Sequence, residues 1–175
     1  MTSQLAEEAF ASAEVGGGAG RLVPVQVGRD VVVIDDSYNA NPASMKASIR
    51  AAAEIAADQK RRLILVLGEM RELGVAAEAG HDEVGDAARE SGARLVIAVG
   101  PLAKRIANKV KGGAVTCAHA ANAEEASALA RQWVMPSDLV LVKGSRGIGT
   151  DAVVRALTAH LGSESVAAQS AGGTP

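Results

Sequence analysis

Charged side chains follow two apolar runs of this sequence, and each run has the composition of a buried strand. Asp35 and Asp36 follow residues 31–34, where four β-branched residues stand in a row, a pattern typical of parallel strands. Carboxylates at a strand end can accept hydrogen bonds from ribose hydroxyls, bind a metal ion or cap the next loop. Since consecutive side chains point to opposite faces, at most one carboxylate faces a given ligand. We expect the chemistry of this protein beside Asp36.

A short polar loop follows these carboxylates and leads into a helix. Tyr38 and Asn39 lie in the loop, and Asn41 and Pro42 have the residue types that favour a helix N-cap and first helical position. A strand, a polar loop and a helix N-terminus in succession place ligand-binding groups at the carboxyl edge of an open α/β sheet.

The second charged group consists of Lys143, Ser145 and Arg146, which follow the apolar residues 139–142. Two cations, a hydroxyl and glycine backbone amides ahead of a helix are the components of an anion site. The alternative is a glycine-rich turn with solvated charges. The loop is not a Walker A motif, because it lacks the Gly-Lys-Ser/Thr ending.

Other candidate residues favour structural roles. His81 stands alone near a helix start, and Cys117 and His119 have no further metal ligands close in sequence. Met70 and Leu73 predict that the loop 68–74 packs against the core. The sequence contains no P-loop, nucleophile elbow or metal-ligand cluster, so it shows no complete catalytic apparatus.

Composition limits the class of protein. Hydrophobic residues make up 48% of the 175 residues and aromatic residues only 2%, which disfavours modules that stack bases on aromatic rings. A net charge of -2 argues against a broad nucleic-acid interface. The single cysteine favours a reducing compartment, and no apolar run reaches the roughly 18 residues of a membrane span. We expect a cytoplasmic protein without nucleic-acid partners.

Strand and helix patterns alternate along most of the chain. We predict an α/β fold with a doubly wound, mostly parallel six-stranded sheet and helices on both faces. A hairpin at 21–35 makes the first strand an antiparallel edge strand, where Pro24 is tolerated. Residues 1–20 suggest a helix and a glycine hinge, or else a disordered leader, and we expect a disordered tail at 162–175. The remaining predicted strands are 62–67, 94–99, 114–117 and 139–143, and the predicted helices are 42–59, 81–91, 101–110, 123–133 and 151–161.

Around the candidate site residues, the sequence resembles the C-terminal domain of the Mur ligases. The motifs occur in the family's order and spacing from about residue 31 to residue 161. Glu69 stands where the family more often has Asp, which is a conservative departure. The matching stretches are 35–42 with Ser44 and Met45, 67–70, 72–74, His81 with Val84 and Gly85, and 141–146.

The resemblance implies a three-domain ligase and is strongest to the branch that adds D-alanyl-D-alanine to UDP-N-acetylmuramoyl-tripeptide in peptidoglycan synthesis. In that enzyme the central domain holds ATP and Mg²⁺ and forms an acyl phosphate, and the Rossmann-like C-terminal domain closes the site and presents the dipeptide. Residues 21–161 would be this C-terminal domain, and residues 1–20 a remnant of its joint with the central domain. The chain by itself would then be inactive.

The resemblance also implies roles for individual residues. Asp36 would bind the ATP ribose, and Tyr38, Asn39 and Asn41 would line the cleft near the nucleotide. The anion-binding residues would contact either the dipeptide carboxylate or phosphate oxygens, and both possibilities stay open. These residues are Lys143, Ser145 and Arg146. No catalytic residue or metal ligand is expected in this chain.

Two other classes of protein share part of the pattern. A signalling receiver domain also has paired acids after an early strand and a lysine after the last one, but Gly68 and Gly100 stand where its phosphoacceptor aspartate would be expected, and Gly144 follows Lys143 in place of proline. A free-standing nucleotide-binding module would need a glycine fingerprint after its first parallel strand. Labelling with acetyl phosphate would separate the receiver from the ligase.

Overall fold

The computed structural model of the protein describes residues 22–171. The predicted leading helix and glycine hinge lie outside these residues. The strands are β1 (Val23–Val27), β2 (Val31–Asp36), β3 (Leu63–Gly68), β4 (Leu95–Val99), β5 (Thr116–Ala120) and β6 (Leu139–Lys143). The helices are α1 (Pro42–Asp58), α2 (Ala77–Glu90), α3 (Lys104–Val110), α4 (Ala123–Trp133) and α5 (Asp151–Ala171).

The strands form one six-stranded sheet in the order β1-β2-β6-β3-β4-β5. Only the edge pair β1–β2 is antiparallel, and every other neighbouring pair is parallel. The predicted fold class is therefore confirmed, including the edge hairpin. Because β6 lies between β2 and β3, the two strands followed by charged residues are neighbours in the sheet.

Aliphatic side chains cover both faces of the sheet. One core contains residues of α1, α2 and α3, with Met45, Val84 and Ile106 fully buried, and the other contains residues of α4 and α5, with Ala126 and Leu157 fully buried. Such two-sided burial explains why β3, β4 and β6 consist of almost unbroken aliphatic residues. Among residues 22–171, no helix is long and apolar enough to cross a bilayer.

Two asparagine caps place the helices that were predicted from them. Asn41 Oδ1 accepts a hydrogen bond from Ser44 N at 2.8 Å, while Ser44 Oγ accepts one from Asn41 N at 3.1 Å, which completes a capping box at α1. Asn122 caps α4 by accepting from Glu125 N at 3.0 Å. Both helices begin at the predicted residues.

Helix α2 differs from the prediction, because it begins at Ala77 instead of residue 81. The residues before Gly80 are good helix formers, and Gly80 is a packing residue rather than a break. A Cβ at Gly80 would lie 2.8 Å from Pro42 Cγ, so the glycine allows α2 to approach α1 closely.

Three further boundaries differ. Strand β5 spans Thr116–Ala120, two or three residues later than predicted, because its pairing with β4 sets the register. Helix α3 begins at Lys104, after a turn at 101–103. Helix α5 continues to Ala171, ten residues beyond the predicted end at residue 161 and into the segment 162–175 that was expected to be a disordered tail. A single glycine costs a helix only about 1 kcal/mol, so Gly162 does not end it.

Candidate functional site

A buried ion pair lies where β2 and β6 end. Asp36 and Lys143 are directly opposite each other in the parallel register, although they are 107 residues apart in the chain. Lys143 Nζ donates to Asp36 Oδ2 at 2.7 Å, and the two side chains are only 4% and 10% exposed, respectively. Buried charges are tolerated when they are paired and hydrogen-bonded, and this pair meets both conditions.

The pair also holds two neighbouring segments. Ser48 Oγ, on α1, donates to Asp36 Oδ2 at 2.6 Å, and Lys143 Nζ donates to the backbone oxygen of Asn39 at 2.9 Å. Two strands, one helix and the loop 37–41 therefore meet at one carboxylate and one ammonium group. Asp36 Oδ2 already accepts two hydrogen bonds in this arrangement, and Asp36 is only 7% exposed.

The loop 37–41 is shaped by its own side chains. Asp35 Oδ1 accepts hydrogen bonds from Ser37 N at 3.1 Å and from Ser37 Oγ at 2.6 Å, so the loop-capping interpretation holds for Asp35. Asn39 Oδ1 accepts from Ala40 N at 2.8 Å, and the side chain of Asn41 caps α1. Tyr38 is 39% exposed and projects from this loop.

The loop after β3 packs down as predicted. Met70 is 1% exposed, and its N–H donates to His81 Nε2 at 3.0 Å. His81 Nδ1 lies 2.6 Å from Ala77 O, so the assigned tautomer carries its proton on Nδ1. His81 is fully buried, and its two ring nitrogens link the loop after β3 to the first turn of α2. The Glu69 carboxylate accepts from Leu102 N at 2.9 Å and fixes the loop that follows β4.

The loops after β3 and β6 contact each other through backbone and glycine. Ser145 N donates to Glu69 O at 3.1 Å, and Arg71 N donates to Ser145 Oγ at 2.9 Å. A Cβ on Gly144 would lie 2.9 Å from Gly68 Cα, so these two segments of the backbone approach within a distance that only glycine permits. The backbone around Ser145 is consequently well fixed.

Exposed cations surround this fixed centre. The Arg146 guanidinium lies 5.6 Å from the centroid of the Tyr38 ring, within cation–π range. Arg71 is exposed, and its guanidinium lies against the backbone of Gly147. Guanidinium groups over a backbone-rich loop suit carboxylate or phosphoryl oxygens.

The structure brings the sequence-predicted site residues to one rim, but it divides them by exposure. Tyr38, Asn39 and Arg146 face solvent, whereas Asp36, Lys143 and Ser145 are buried. Asn41 belongs to the same loop and is exposed, but its Oδ1 is committed to the helix cap. The exposed guanidinium groups of the rim are of a type that binds anions, and its buried polar groups hold the loops that carry the exposed ones.

Sequence reasoning did not identify two residues of this rim. Ser48 is a polar residue in the otherwise apolar buried stripe of α1, and that break in the pattern was a usable signal. Arg71 resembles any solvated loop charge in sequence, and only its contacts with Ser145 and Gly147 distinguish it.

Comparison with known proteins identifies relatives of this chain. A family model described as "Mur ligase, glutamate ligase domain" matches residues 20–146. The UDP-N-acetylmuramoyl-tripeptide–D-alanyl-D-alanine ligase of Escherichia coli K12 is 38% identical over 139 residues, covering 79% of this chain and 29% of that enzyme. The corresponding ligase of Mycobacterium tuberculosis H37Rv is 40% identical over 150 residues, covering 75% of this chain and 29% of the relative.

Solved structures give the same result. A crystal structure of MurF from Acinetobacter baumannii aligns with a TM-score of 0.72 at 26% identity, covering 82% of this chain and 31% of that one. MurF from Thermotoga maritima in complex with ADP aligns with a TM-score of 0.68 at 24% identity, covering 83% of this chain and 32% of that one, and shows the shared fold. The chain thus spans less than a third of the length of these relatives.

Proposed function

The chain belongs to the Mur ligase family, and we propose that it serves as the C-terminal closing domain of a ligase that joins D-alanyl-D-alanine to UDP-N-acetylmuramoyl-tripeptide. The product of that reaction is a UDP-linked pentapeptide precursor of peptidoglycan. The names of the relatives from E. coli and M. tuberculosis describe this reaction. The family match disfavours the two alternatives, a receiver domain and a free-standing nucleotide-binding module. The single cysteine and the nucleotide-linked substrate are consistent with a cytoplasmic enzyme.

The reaction places negative charge where the exposed cations can meet it. When bound, ATP with Mg²⁺ supplies the phosphoryl group that activates the tripeptide carboxylate, and both are held mainly by the central domain in our proposal. The dipeptide amine then forms the new amide bond as phosphate leaves. Cations that arrive with domain closure stabilise this charge most once water is excluded, and closure positions the amine for attack.

We propose a division of labour within the rim. Tyr38 and Asn39 form the nucleotide side of the cleft, and Arg146 contacts an anionic oxygen of the dipeptide carboxylate or a phosphoryl group. Asp36 and Asn41 shape the nucleotide side, and Lys143 and Ser145 shape the anion side, by holding the loops in place.

The single observation that carries this proposal is the buried Asp36–Lys143 pair. It joins the loop that bears Tyr38 to the strand that leads to Arg146, so the two exposed side chains share one rim in a fixed relation. A pair that is this well buried holds its geometry before any ligand arrives, and such preorganisation is what an incoming domain must provide.

A chimaeric ligase tests the proposal. Residues 22–171 of this chain replace the matching segment of the E. coli ligase, and steady-state kinetics are measured with ATP, tripeptide and dipeptide each varied. We expect an active chimaera in which Arg146→Ala weakens the use of the dipeptide or ATP about tenfold, as expected for loss of one charge-assisted hydrogen bond.

Arg94→Ala is the matched control, because Arg94 is exposed but immediately precedes β4 at the opposite edge of the sheet. The kinetic constants of this control should match those of the unmodified chimaera. An inactive chimaera with a folded C-terminal domain would contradict the proposed function, and an Arg146→Ala variant indistinguishable from Arg94→Ala would contradict the role of Arg146.

A further inference from the structure

Two successive backbone N–H groups leading up to the Cα of Arg71 are held by side chains of other elements. The preceding N–H, of Met70, donates to His81 Nε2 at 3.0 Å, and the N–H of Arg71 itself donates to Ser145 Oγ at 2.9 Å. Both acceptors are buried. The side chain of Arg71 therefore starts from a fixed backbone, although it lies in a loop.

The guanidinium of Arg71 occupies the space above Gly147. A Cβ built on Gly147 would lie 2.5 Å from Arg71 Nη1 and 3.2 Å from its Cζ, so any side chain at this position would displace the guanidinium. Residues 145–147 thus present, in order, the hydroxyl that holds Arg71, the cation Arg146, and the glycine over which Arg71 lies.

No carboxylate neutralises Arg71 within the part of the chain that the structure describes. Some arginines elsewhere in the fold have acidic partners, such as Arg105 with Asp82 at 2.7 Å and Arg61 with Asp30 at 3.0 Å, whereas the guanidinium of Arg71 lies against Gly147. An exposed guanidinium that lies across another loop without an acid is placed to receive an anion from outside the chain.

We infer that Arg71 is a further anion-contacting residue of the rim and that, with Arg146, it forms a two-guanidinium clamp around Ser145. This inference rests on the proposed function and adds a specific contact to it. The ligand is a carboxylate or a phosphoryl group, since both offer the paired anionic oxygens that guanidinium groups bind. In the ligase reaction these groups come from the dipeptide C-terminus or from ATP.

The test compares Arg71→Ala with Arg94→Ala in the chimaeric ligase, using D-alanyl-D-alanine and its C-terminal amide as alternative substrates. If the clamp binds the dipeptide, Arg71→Ala raises the KM for D-alanyl-D-alanine about tenfold. With the amide, the same substitution then raises the KM little, because this substrate lacks the carboxylate that Arg71 would bind.

If the clamp binds a phosphoryl group, Arg71→Ala instead raises the KM for ATP by a similar factor with both dipeptides. Either result supports the clamp and identifies the source of its anion. Kinetic constants equal to those of Arg94→Ala, with both dipeptides and with ATP, would overturn the inference and leave the proposed function intact. Loss of all activity in the unsubstituted chimaera, with the domain folded, would overturn the proposed function itself.

Further variants separate charge from packing. Arg71→Lys keeps the charge and should recover most of the lost KM, whereas Arg71→Gln fills similar space without charge and should not. Gly147→Ala should reproduce the KM effect of Arg71→Ala by displacing the guanidinium. A glutamine variant with unchanged kinetics, alongside an impaired alanine variant, would show that Arg71 only braces the loop and would refute the clamp.

Discussion

At the carboxyl edge of the sheet, Asp36 and its partner Lys143 are both buried, whereas at the amino edge Asp138 is fully buried and its partner Arg62 is 40% exposed. Each carboxylate has a cation within 3 Å, at 2.7 Å and 2.9 Å, respectively. Each edge therefore contains a carboxylate paired with a cation, a lysine in one case and an arginine in the other, and the two pairs differ in burial and in the segments that they contact.

The amino-edge pair stabilises a local turn. Asp138 Oδ2 accepts from Met135 N at 2.8 Å, three residues away, and from Arg62 Nη2 at 3.2 Å. Arg62 Nε lies 2.9 Å from Oδ1, but that oxygen makes no hydrogen bond of good geometry. Burial raises the pKa of Asp138 despite the nearby guanidinium, because the exposed cation compensates only part of the lost hydration.

The carboxyl-edge pair joins distant parts of the chain. It connects β2, β6, α1 and the loop 37–41, and glycine contacts link the same region to the loop after β3. A turn needs only one well-placed acceptor, but a ligand rim needs several loops in a fixed relation. In this molecule, burial of both charges accompanies contacts with several segments, which is the arrangement that the proposed rim requires.

Lys143→Met should produce the largest effect, because it leaves the Asp36 charge buried without its cation. Breaking a buried pair in this way costs about 3–5 kcal/mol. Lys46→Met is the matched control, since the Lys46–Glu83 pair is exposed at 39% and 55% and is worth about 1 kcal/mol or less. Free energies of unfolding from urea titrations compare the two, and equal losses would mean that burial does not distinguish these pairs.

Gly144→Ala should have an intermediate effect, because the new Cβ would meet backbone. The nearest atom is Gly68 Cα at 2.9 Å, and neither strand end can move away without disturbing the sheet. We expect a loss of about 1–3 kcal/mol in unfolding free energy, in the range for overpacking. Gly162→Ala is the control, because a Cβ at this position of α5 would meet nothing within 4 Å, and it should stabilise the chain by about 0.5–1 kcal/mol. A Gly144→Ala variant as stable as the parent would refute the close contact.

Asp138→Asn should have the smallest effect, a change in how stability depends on pH. Because the folded pKa of Asp138 lies above 3.8, the folded state holds this proton where the unfolded state has lost it. Stability from this group therefore falls as pH rises from 3.8 through the raised pKa. Asparagine removes the decline, so the unfolding free energy of the variant minus that of the parent should increase across this window.

Asp82→Asn provides the control of opposite sign. The hydrogen bond from Arg105 lowers the pKa of Asp82, so its contribution is present above 3.8 and is lost as pH falls through the lowered folded value. The variant-minus-parent difference should therefore decrease as pH rises through that acidic window. Urea titrations over a series of pH values measure both slopes, and slopes of the same sign would contradict the assigned pKa directions.

Much of the fold could be predicted because its signals are local. Aliphatic runs predicted six strands, and helical periodicity predicted the helices between them. Asn41 and Asn122 fixed two helix starts through side-chain caps that act over three residues. Predictions failed where a distant contact overrides a local preference. Helix α2 was predicted to begin at residue 81, but it includes Gly80, which packs against Pro42, and β5 takes its bounds from its pairing with β4.

The sequence by itself determined the α/β class, the membership of the family and the placement of charged residues at strand ends. Only the tertiary structure decided that β6 lies between β2 and β3, which sets Lys143 opposite Asp36 and buries the two side chains in one ion pair. The physical reason is that strand order and burial depend on packing between segments more than a hundred residues apart. The same packing turns Arg71, an ordinary loop charge in sequence, into a neighbour of Ser145 and Gly147.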